Sequence, residues 1–284
     1  MLKHLLGIIF LMTQAVPSAS CAEEPKSEIY EINTQLMETT FQVLGPSAKV
    51  KGETVGGTVF FMGKPTGDGK ASFVLITAAH VLDDIDGDLA TLMFRWKNAA
   101  GAYERQPYQF SIREQGKPLY VTHPTVDVAA LYMRMPTVFA NIRMLDIALI
   151  GTDEWLKQFE IHPGDELLCL GYPLFIEGPN GYPILRSGKI ASYPLVPSKE
   201  QKNWLFDFRV FPGNSGGPVY FVDRNRTYGG QTKIGETIQF LAGLVTAQIN
   251  SNIFKDKDLG LGVVIPAAFI RETLDLLPAK SPYP

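Results

Sequence analysis

The chain has 284 residues, of which 45% are hydrophobic and 19% are charged, and its formal net charge is −3. A chain of this length and composition buries a sizeable core in one or two domains. The charge is small and negative and no basic block occurs, so composition does not support nucleic-acid binding. No His/Cys cluster with zinc-site spacing and no phosphate-binding glycine loop occurs, so we expect no metal and no cofactor.

The first 22 residues have the pattern of a cleavable signal peptide. Lys3 precedes a short apolar run over 5–12, and small residues follow at 18–22. The apolar run is too short to span a membrane. We therefore expect a secreted or periplasmic protein with no membrane span. The alternative at this end of the chain is a lipid anchor at Cys21.

Residues 23–54 form an acidic, polar lead-in segment with a predicted short helix over 27–41. Beyond it, short apolar and β-branched runs alternate with turn residues, the pattern of a barrel or a sandwich. The predicted strands are 58–62, 72–78, 90–96, 128–133, 166–170, 204–210, 218–222, 240–249 and 260–264. Pro266 opens a predicted closing helix over 266–278.

His80 lies two residues after the predicted strand over 72–78. That run is apolar and β-branched and ends close to two alanines, so it predicts a buried strand that presents the histidine in a turn. Of the other histidines, His4 lies in the predicted signal peptide, and His123 and His162 each precede a proline. His80 is therefore the candidate general base. The alternative is a histidine that only satisfies hydrogen bonds in the core.

Ser215 lies in the run GNSGGP at 213–218, where nothing bulky stands beside the hydroxyl. A serine hydroxyl is a poor nucleophile at neutral pH and needs a neighbouring base and donors that accommodate negative charge. Gly213 and Gly216 permit backbone conformations that turn amide N–H groups toward a developing oxyanion. Taken alone, the run is also compatible with an ordinary tight loop between strands.

The sequences TAAH at 77–80 and GNSGGP at 213–218 resemble, in this order, the two signatures of chymotrypsin-like (trypsin-like) serine proteases. The resemblance covers residues from about 55 to 277. It implies a serine endopeptidase (a hydrolase) of the bacterial exported type without a PDZ domain. Such an enzyme acts on protein or peptide substrates through an acyl-enzyme intermediate.

The same resemblance implies an all-β fold of two six-stranded antiparallel β-barrels (chymotrypsin-like) with a C-terminal helix. The protease domain would cover 55–284. Its N-terminal barrel would cover about 55–140 and its C-terminal barrel about 150–265, with the active site in the cleft between them.

The resemblance makes Ser215 the nucleophile and His80 the general base, with an aspartate between them in the chain that orients the histidine. Two aspartates stand in the D-x-A-x-L setting of the family, Asp127 and Asp146. Asp127 leaves room for strands on both sides, whereas Asp146 leaves little chain before the next strand. We therefore select Asp127 and keep Asp146 as the alternative. The backbone N–H groups of Gly213 and Ser215 are the expected oxyanion hole.

Arg209 stands six residues before the nucleophile, a position that often forms the floor of the primary specificity pocket in this family. A buried guanidinium there would favour acidic substrate side chains through a bidentate pair. The alternative is that Arg209 pairs with Asp207 or points away. The other predicted substrate-binding residues are Thr246, Ala247, Gln248 and Gly262.

Two other functions are compatible with these residues. One is a catalytically silent pseudoprotease that serves as a protein-binding module, and the other is a serine esterase on the same fold. Cys169 is the one cysteine that remains after removal of residues 1–22, and its apolar surroundings predict a buried strand residue and not a reactive thiol. The sequence predicts no oligomeric state.

Overall fold

The structure is a computed structural model that describes residues 31–283 apart from 68–69, 99, 137–143 and 252–256. The predicted signal peptide and Cys21 lie outside the described residues. The strands before residue 147 are β1 (Thr40–Pro46), β2 (Thr54–Pro65), β3 (Ala71–Thr77), β4 (Leu89–Lys97), β5 (Tyr103–Ser111), β6 (Arg113–Glu114), β7 (Lys117–Pro118), β8 (Val121–Thr122), β9 (Ala129–Tyr132) and β10 (Leu145–Asp146).

Eight of these strands form the first sheet. Its order is β5-β4-β1-β2-β3-β9-β8 with antiparallel neighbours, and β10 pairs with β2 in parallel. Strands β6 and β7 form a separate two-stranded ribbon.

The second sheet is a closed barrel. Its strands are β11 (Glu166–Gly171), β12 (Ile184–Ile190), β13 (Trp204–Asp207), β14 (Pro218–Tyr228), β15 (Gln231–Ser251) and β16 (Lys257–Pro266). They close in the order β11-β12-β13-β16-β15-β14, and every pair is antiparallel. Each of the predicted strands overlaps an observed one.

The second of the two predicted six-stranded barrels is therefore present as a closed ring, and the first sheet departs from the prediction. Within the described residues it has eight strands, with β5 and β8 at its two ends. Strand β8 is two residues long. It offers too few N–H and C=O groups to pair with a further strand along a useful length.

The helices are α1 (Ile32–Thr39), α2 (Ala79–Asp83), α3 (Asp153–Gln158) and α4 (Ala267–Leu276). Helix α1 falls within the predicted helix 27–41 but ends at Thr39. Thr39 and Thr40 favour extended backbone because their branched Cβ atoms are crowded in a helix. Strand β1 follows at once and pairs with β2 and β4. The first sheet thus begins inside the predicted lead-in 23–54, before residue 55.

Two apolar cores support the two sheets. The core of the barrel includes Trp204, Phe206 and Phe240. The core of the first sheet includes Phe41, and it also contains the apolar side of α4. Helix α4 directly follows β16 of the barrel and packs its apolar side in the core of the first sheet. The helix therefore joins the end of β16 to that sheet.

Candidate active site

His80 and Asp127 lie in contact on neighbouring turns of the first sheet. Strand β3 ends at Thr77, and His80 is the second residue of α2. Asp127 precedes β9, whose Ala129 is paired with Thr77. Asp127 Oδ2 lies 2.6 Å from His80 Nδ1, and Asp127 Oδ1 accepts a hydrogen bond of 3.0 Å from the His80 backbone N–H. The aspartate therefore holds both the ring and the backbone of the histidine.

This arrangement determines which ring nitrogen of His80 carries the proton. An ionised carboxylate only accepts hydrogen bonds, so the proton of the neutral imidazole lies on Nδ1 and Nε2 keeps its lone pair. Burial by itself would raise the pKa of Asp127. The hydrogen bond and electrostatic attraction of the His80 ring, with the backbone N–H groups of Ala79 and His80, outweigh burial and hold that pKa below its ordinary value. The side chains of His80 and Asp127 are 40% and 34% exposed, so solvent reaches the pair.

Ser215 lies on a turn before β14 that packs against the end of β3. At Gly216 a side chain has no room, because its Cβ atom would overlap the carbonyl oxygen of Thr58 and would lie 3.0 Å from the backbone nitrogen of Ala78. Ala78 is two residues before His80. The structure thus brings the predicted nucleophile and the predicted base onto turns that touch.

The Ser215 hydroxyl donates a hydrogen bond of 3.0 Å to the backbone oxygen of Thr246. Thr246 lies in a bulge of β15, where the register with β16 shifts between Val245 and Ala247. In the part of the chain that the structure describes, no hydrogen bond joins Ser215 to His80. Proton transfer to the imidazole therefore requires the Ser215 hydroxyl to break its hydrogen bond to Thr246 O.

The turn before Ser215 presents two amide N–H groups. Asn214 N donates to Phe211 O at 3.0 Å, and Gly213 has a φ of +94°, which is the pattern of a type II turn. Among the described residues, no acceptor bonds the N–H of Gly213 or Ser215, whereas the other three amides over 214–217 each donate to a carbonyl. The two predicted oxyanion donors therefore have no acceptor within the described part of the chain.

The structure corrects the predicted position of Arg209. Residues after β13 continue the alternation of a strand, so Phe208 and Val210 are buried and Arg209 between them is exposed. Its guanidinium lies 5.9 Å from the centre of the Phe211 ring. Arg209 is thus a surface residue and not the buried floor of a pocket.

The other predicted substrate-binding residues lie along β15 and β16. Thr246 is buried, Ala247 is exposed, and Gln248 is paired with Gly262 in the ladder. Gly262 is buried, and a Cβ atom there would lie 2.8 Å from a methyl group of Val210. The two strands and the chain before the Ser215 turn therefore pack closely at this point.

Asp146, the alternative third residue of the triad, does not lie with His80. It is exposed at the end of β10, and its carboxylate accepts a hydrogen bond of 2.8 Å from Ala148 N. It caps the short 3₁₀ helix Ile147–Leu149. A helix cap is the ordinary use of such an aspartate.

Sequence reasoning missed Thr58, which joins the first sheet to the Ser215 turn. Its side chain is fully buried, and its hydroxyl donates to Gly213 O at 2.7 Å. The available signal was a hydroxyl at the start of an apolar run, since Val59, Phe60 and Phe61 follow it. A buried hydroxyl needs a hydrogen-bond partner, but nothing in the sequence identifies which one.

The chain after β11 also packs on the turn. Leu174 N donates to Pro212 O at 2.7 Å. Leu174 and Phe175 have φ values of 52° and 61°, in the left-handed region that side chains other than glycine rarely adopt. Leu174, Phe175 and Ile176 all expose apolar side chains. An apolar strip therefore lies beside the oxyanion turn.

No cluster of three or more His, Cys, Asp or Glu residues within the described ranges is arranged to hold a metal ion. Cys169 is buried in the barrel, and burial raises the pKa of its thiol to about 12. Among the described helices, none combines the length and apolar character needed to cross a membrane.

No protein-family model and no curated protein matches the chain. Solved structures do match. The fold is similar to protease Anisep from Arthrobacter nicotinovorans, with 13% sequence identity, a TM-score of 0.49, and coverage of 84% of this chain and 94% of that one. It is similar to the Rv3671c protease from M. tuberculosis in its active form, with 17% identity, a TM-score of 0.46, and coverage of 98% and 96%.

A third similar structure is the thermostable serine protease AL20 from an extremophilic microorganism. Its sequence identity is 11%, its TM-score is 0.48, and the coverage is 84% of this chain and 96% of that one.

Proposed function

We propose that the chain is an exported serine endopeptidase that hydrolyses peptide bonds of protein or peptide substrates through Ser215, His80 and Asp127. The observation that carries this proposal is the contact of 2.6 Å between Asp127 Oδ2 and His80 Nδ1, next to the end of β3 against which the Ser215 turn packs. The two N–H groups of the Ser215 turn without an acceptor in the described chain support it further. We place this chemistry on the two-barrel arrangement that the motifs imply.

In the first half of the proposed reaction, Ser215 Oγ attacks the carbonyl carbon of the substrate and its proton passes to His80 Nε2. The carbonyl oxygen becomes an oxyanion, which accepts hydrogen bonds from the N–H groups of Gly213 and Ser215. Each such donor contributes about 2.7–4 kcal/mol to transition-state stabilisation. The imidazolium then protonates the leaving amine as the C–N bond breaks, which leaves an ester on Ser215.

In the second half, His80 takes a proton from a water molecule as that water attacks the ester carbonyl. The imidazolium returns the proton to Ser215 Oγ as the C–O bond breaks. The products are a carboxylic acid and the regenerated serine. Asp127 remains ionised throughout and stabilises the imidazolium, which agrees with the direction of its pKa shift.

A second candidate function, a silent pseudoprotease that binds proteins, is favoured by one observation. The Ser215 hydroxyl donates to Thr246 O and not to the imidazole. A serine whose hydroxyl stays bonded to Thr246 O is not activated by the histidine. A serine esterase on the same fold would use the same groups, and cleavage of an amide distinguishes it because esters react readily at such sites.

The test is labelling by a fluorophosphonate probe, followed by assay of a peptide library. We expect the parent protein to be labelled and to cleave peptides, and we expect both activities to be lost in Ser215→Ala and His80→Ala. Ser187→Ala and His162→Ala, which change an exposed serine and an exposed histidine, serve as matched controls. A folded parent that is not labelled would support the pseudoprotease, and labelling without peptide cleavage would support the esterase.

A further inference from the structure

Thr58 makes hydrogen bonds to three backbone groups around the oxyanion turn. Its N–H donates to Ser215 O at 2.8 Å, and its hydroxyl donates to Gly213 O at 2.7 Å. The hydroxyl oxygen also accepts from Tyr172 N at 3.3 Å. The side chain is 0% exposed, so these bonds do not compete with water. One residue of the first sheet thus holds both residues that supply the oxyanion donors.

The hydroxyl of Thr58 acts on the peptide group between Gly213 and Asn214. The carbonyl oxygen of that peptide accepts from Thr58, and its N–H donates to Phe211 O at 3.0 Å. The peptide is therefore held at both ends. Its orientation sets the ψ angle of Gly213, next to the φ of +94° that a type II turn requires.

The turn has a competing conformation. Type I and type II turns differ mainly by rotation of the central peptide. In this turn the central peptide is the one whose N–H belongs to Gly213. Rotation would therefore turn an oxyanion donor away from the site, and it would also turn the carbonyl oxygen of Pro212 away from Leu174 N, which donates to it at 2.7 Å. The Thr58 hydroxyl stabilises the type II form because it donates to Gly213 O and also accepts from Tyr172 N, which holds the segment whose Leu174 N–H bonds Pro212 O.

We infer that Thr58 is a positioning residue for catalysis, whose hydroxyl holds the turn in the form that presents the Gly213 N–H to the oxyanion. This inference rests on the proposed function. Tyr172 N uses the same hydroxyl oxygen as its acceptor, so the hydroxyl also holds the chain after β11 against the turn. Thr58 does not touch the reacting atoms, and its effect passes through Gly213.

The test compares the rate of fluorophosphonate labelling of Thr58→Val and Thr58→Ser with that of the parent. Valine keeps the shape of threonine and removes the hydroxyl, whereas serine keeps the hydroxyl. We expect Thr58→Val to be labelled at least tenfold more slowly and Thr58→Ser to stay within about threefold of the parent. Thr54→Val, an exposed threonine of the same strand, is the control and should label at the parent rate.

A second measurement separates positioning from general loss of structure. With a peptide ester that the parent hydrolyses, Thr58→Val should lower kcat and leave KM unchanged, because the oxyanion forms only as the reaction proceeds. If the valine variant does not fold, Thr58→Ser and Thr58→Ala form a second pair that differs by the hydroxyl alone.

The outcomes separate the two proposals. A folded Thr58→Val, or Thr58→Ala, that labels as fast as its hydroxyl-bearing partner would overturn the role of Thr58 and leave the protease proposal intact. A folded parent that is not labelled would overturn the protease proposal, and the role of Thr58 with it.

Discussion

Replacement of Gly213 by alanine adds one carbon atom to the turn over 211–214, which carries a proposed oxyanion donor. Gly213 has a φ of +94°, and an L-residue in a left-handed conformation costs roughly 1–2 kcal/mol. The added Cβ would also overlap the carbonyl oxygen of Tyr172. The two atoms would be closer than 3.0 Å, a separation that Cβ atoms essentially never show. That oxygen belongs to the backbone, so it cannot move away as easily as the end of a flexible side chain. The turn must therefore shift, and the Gly213 N–H shifts with it.

The size of the expected loss follows from the role of that N–H. Removal of one oxyanion donor costs about 2.7–4 kcal/mol, or roughly 10²–10³ in kcat. We expect Gly213→Ala to lose activity in this range. We expect its stability to fall by more than the 1–2 kcal/mol or so that the positive φ alone accounts for.

The chain provides a matched control in Gly164, which lies before β11. Its φ is +93°, and a Cβ atom there would have no heavy atom within 4 Å. Gly164→Ala therefore carries the same backbone penalty without the overlap. It should lose stability by roughly 1–2 kcal/mol and keep the kcat of the parent.

The assay is the rate of fluorophosphonate labelling, together with urea unfolding of both variants and the parent. Labelling should separate the two variants by about two orders of magnitude. A folded Gly213→Ala that labels at the parent rate would refute the assignment of its N–H to the oxyanion. Loss of labelling in Gly164→Ala would show that a positive φ alone disturbs the site.

Two further predictions concern Asp127 beside the proposed base and Asn214 beside the proposed nucleophile. Asp127→Asn should lower kcat by roughly 10⁴-fold, because an amide N–H facing His80 Nδ1 forces the proton onto Nε2. Asp127 has a lowered pKa in the folded protein, so its charge stabilises the fold above the ordinary aspartate pKa of about 3.9. That contribution is lost on acidification, and the urea midpoints of Asp127→Asn and the parent should converge below about pH 4. Asn214 is 1% exposed, and neither polar atom of its side chain has a partner in the described chain. Asn214→Asp should therefore lose about 3–5 kcal/mol at pH 7, and acidification should reduce this loss by neutralising the carboxyl group; an unchanged urea midpoint at pH 7 would contradict it.

Of the residues predicted for the triad, His80 and Asp127 are in contact, and each predicted residue stands where a local sequence pattern is strong. The apolar run of β3 indicates where that strand ends, and His80 lies three residues after the end. The glycines around Ser215 predict a tight turn, and two positive φ values are found there. The contact between His80 and Asp127 depends on the pairing of β3 with β9. Sequence spacing is compatible with that pairing and does not determine it.

The position of Arg209 could not be obtained in the same way. Its place in the motif suggested a pocket floor, but its orientation depends on strand alternation, which puts Phe208 and Val210 inside. Apolar side chains take the inward positions because their burial is favourable and burial of an unpaired guanidinium is costly. A motif position therefore gives the location of a residue along the chain and not the face it occupies.

Strands β1 and β5 were missed for two different reasons. The sequence of β1 follows a helix without a turn residue, so the predicted helix was continued into it. Strand β5 lies at an end of the sheet, and most of its residues are exposed. Neither face of such a strand needs a regular apolar pattern, which is the signal that single-sequence reasoning uses.

The relative position of His80 and Ser215 is set by contacts between the two sheets and not within either one. Thr58 of β2 bonds Ser215 O, and Gly216 packs against Ala78. Helix α4 fastens the end of the barrel to the first sheet through buried Phe269, Ile270 and Leu274. These contacts use backbone groups and apolar side chains that carry no catalytic signature. Changes at such positions should therefore alter activity through the spacing of the two turns. Because these positions carry no catalytic signature, Thr58 is identified by its contacts in the structure and not by the sequence.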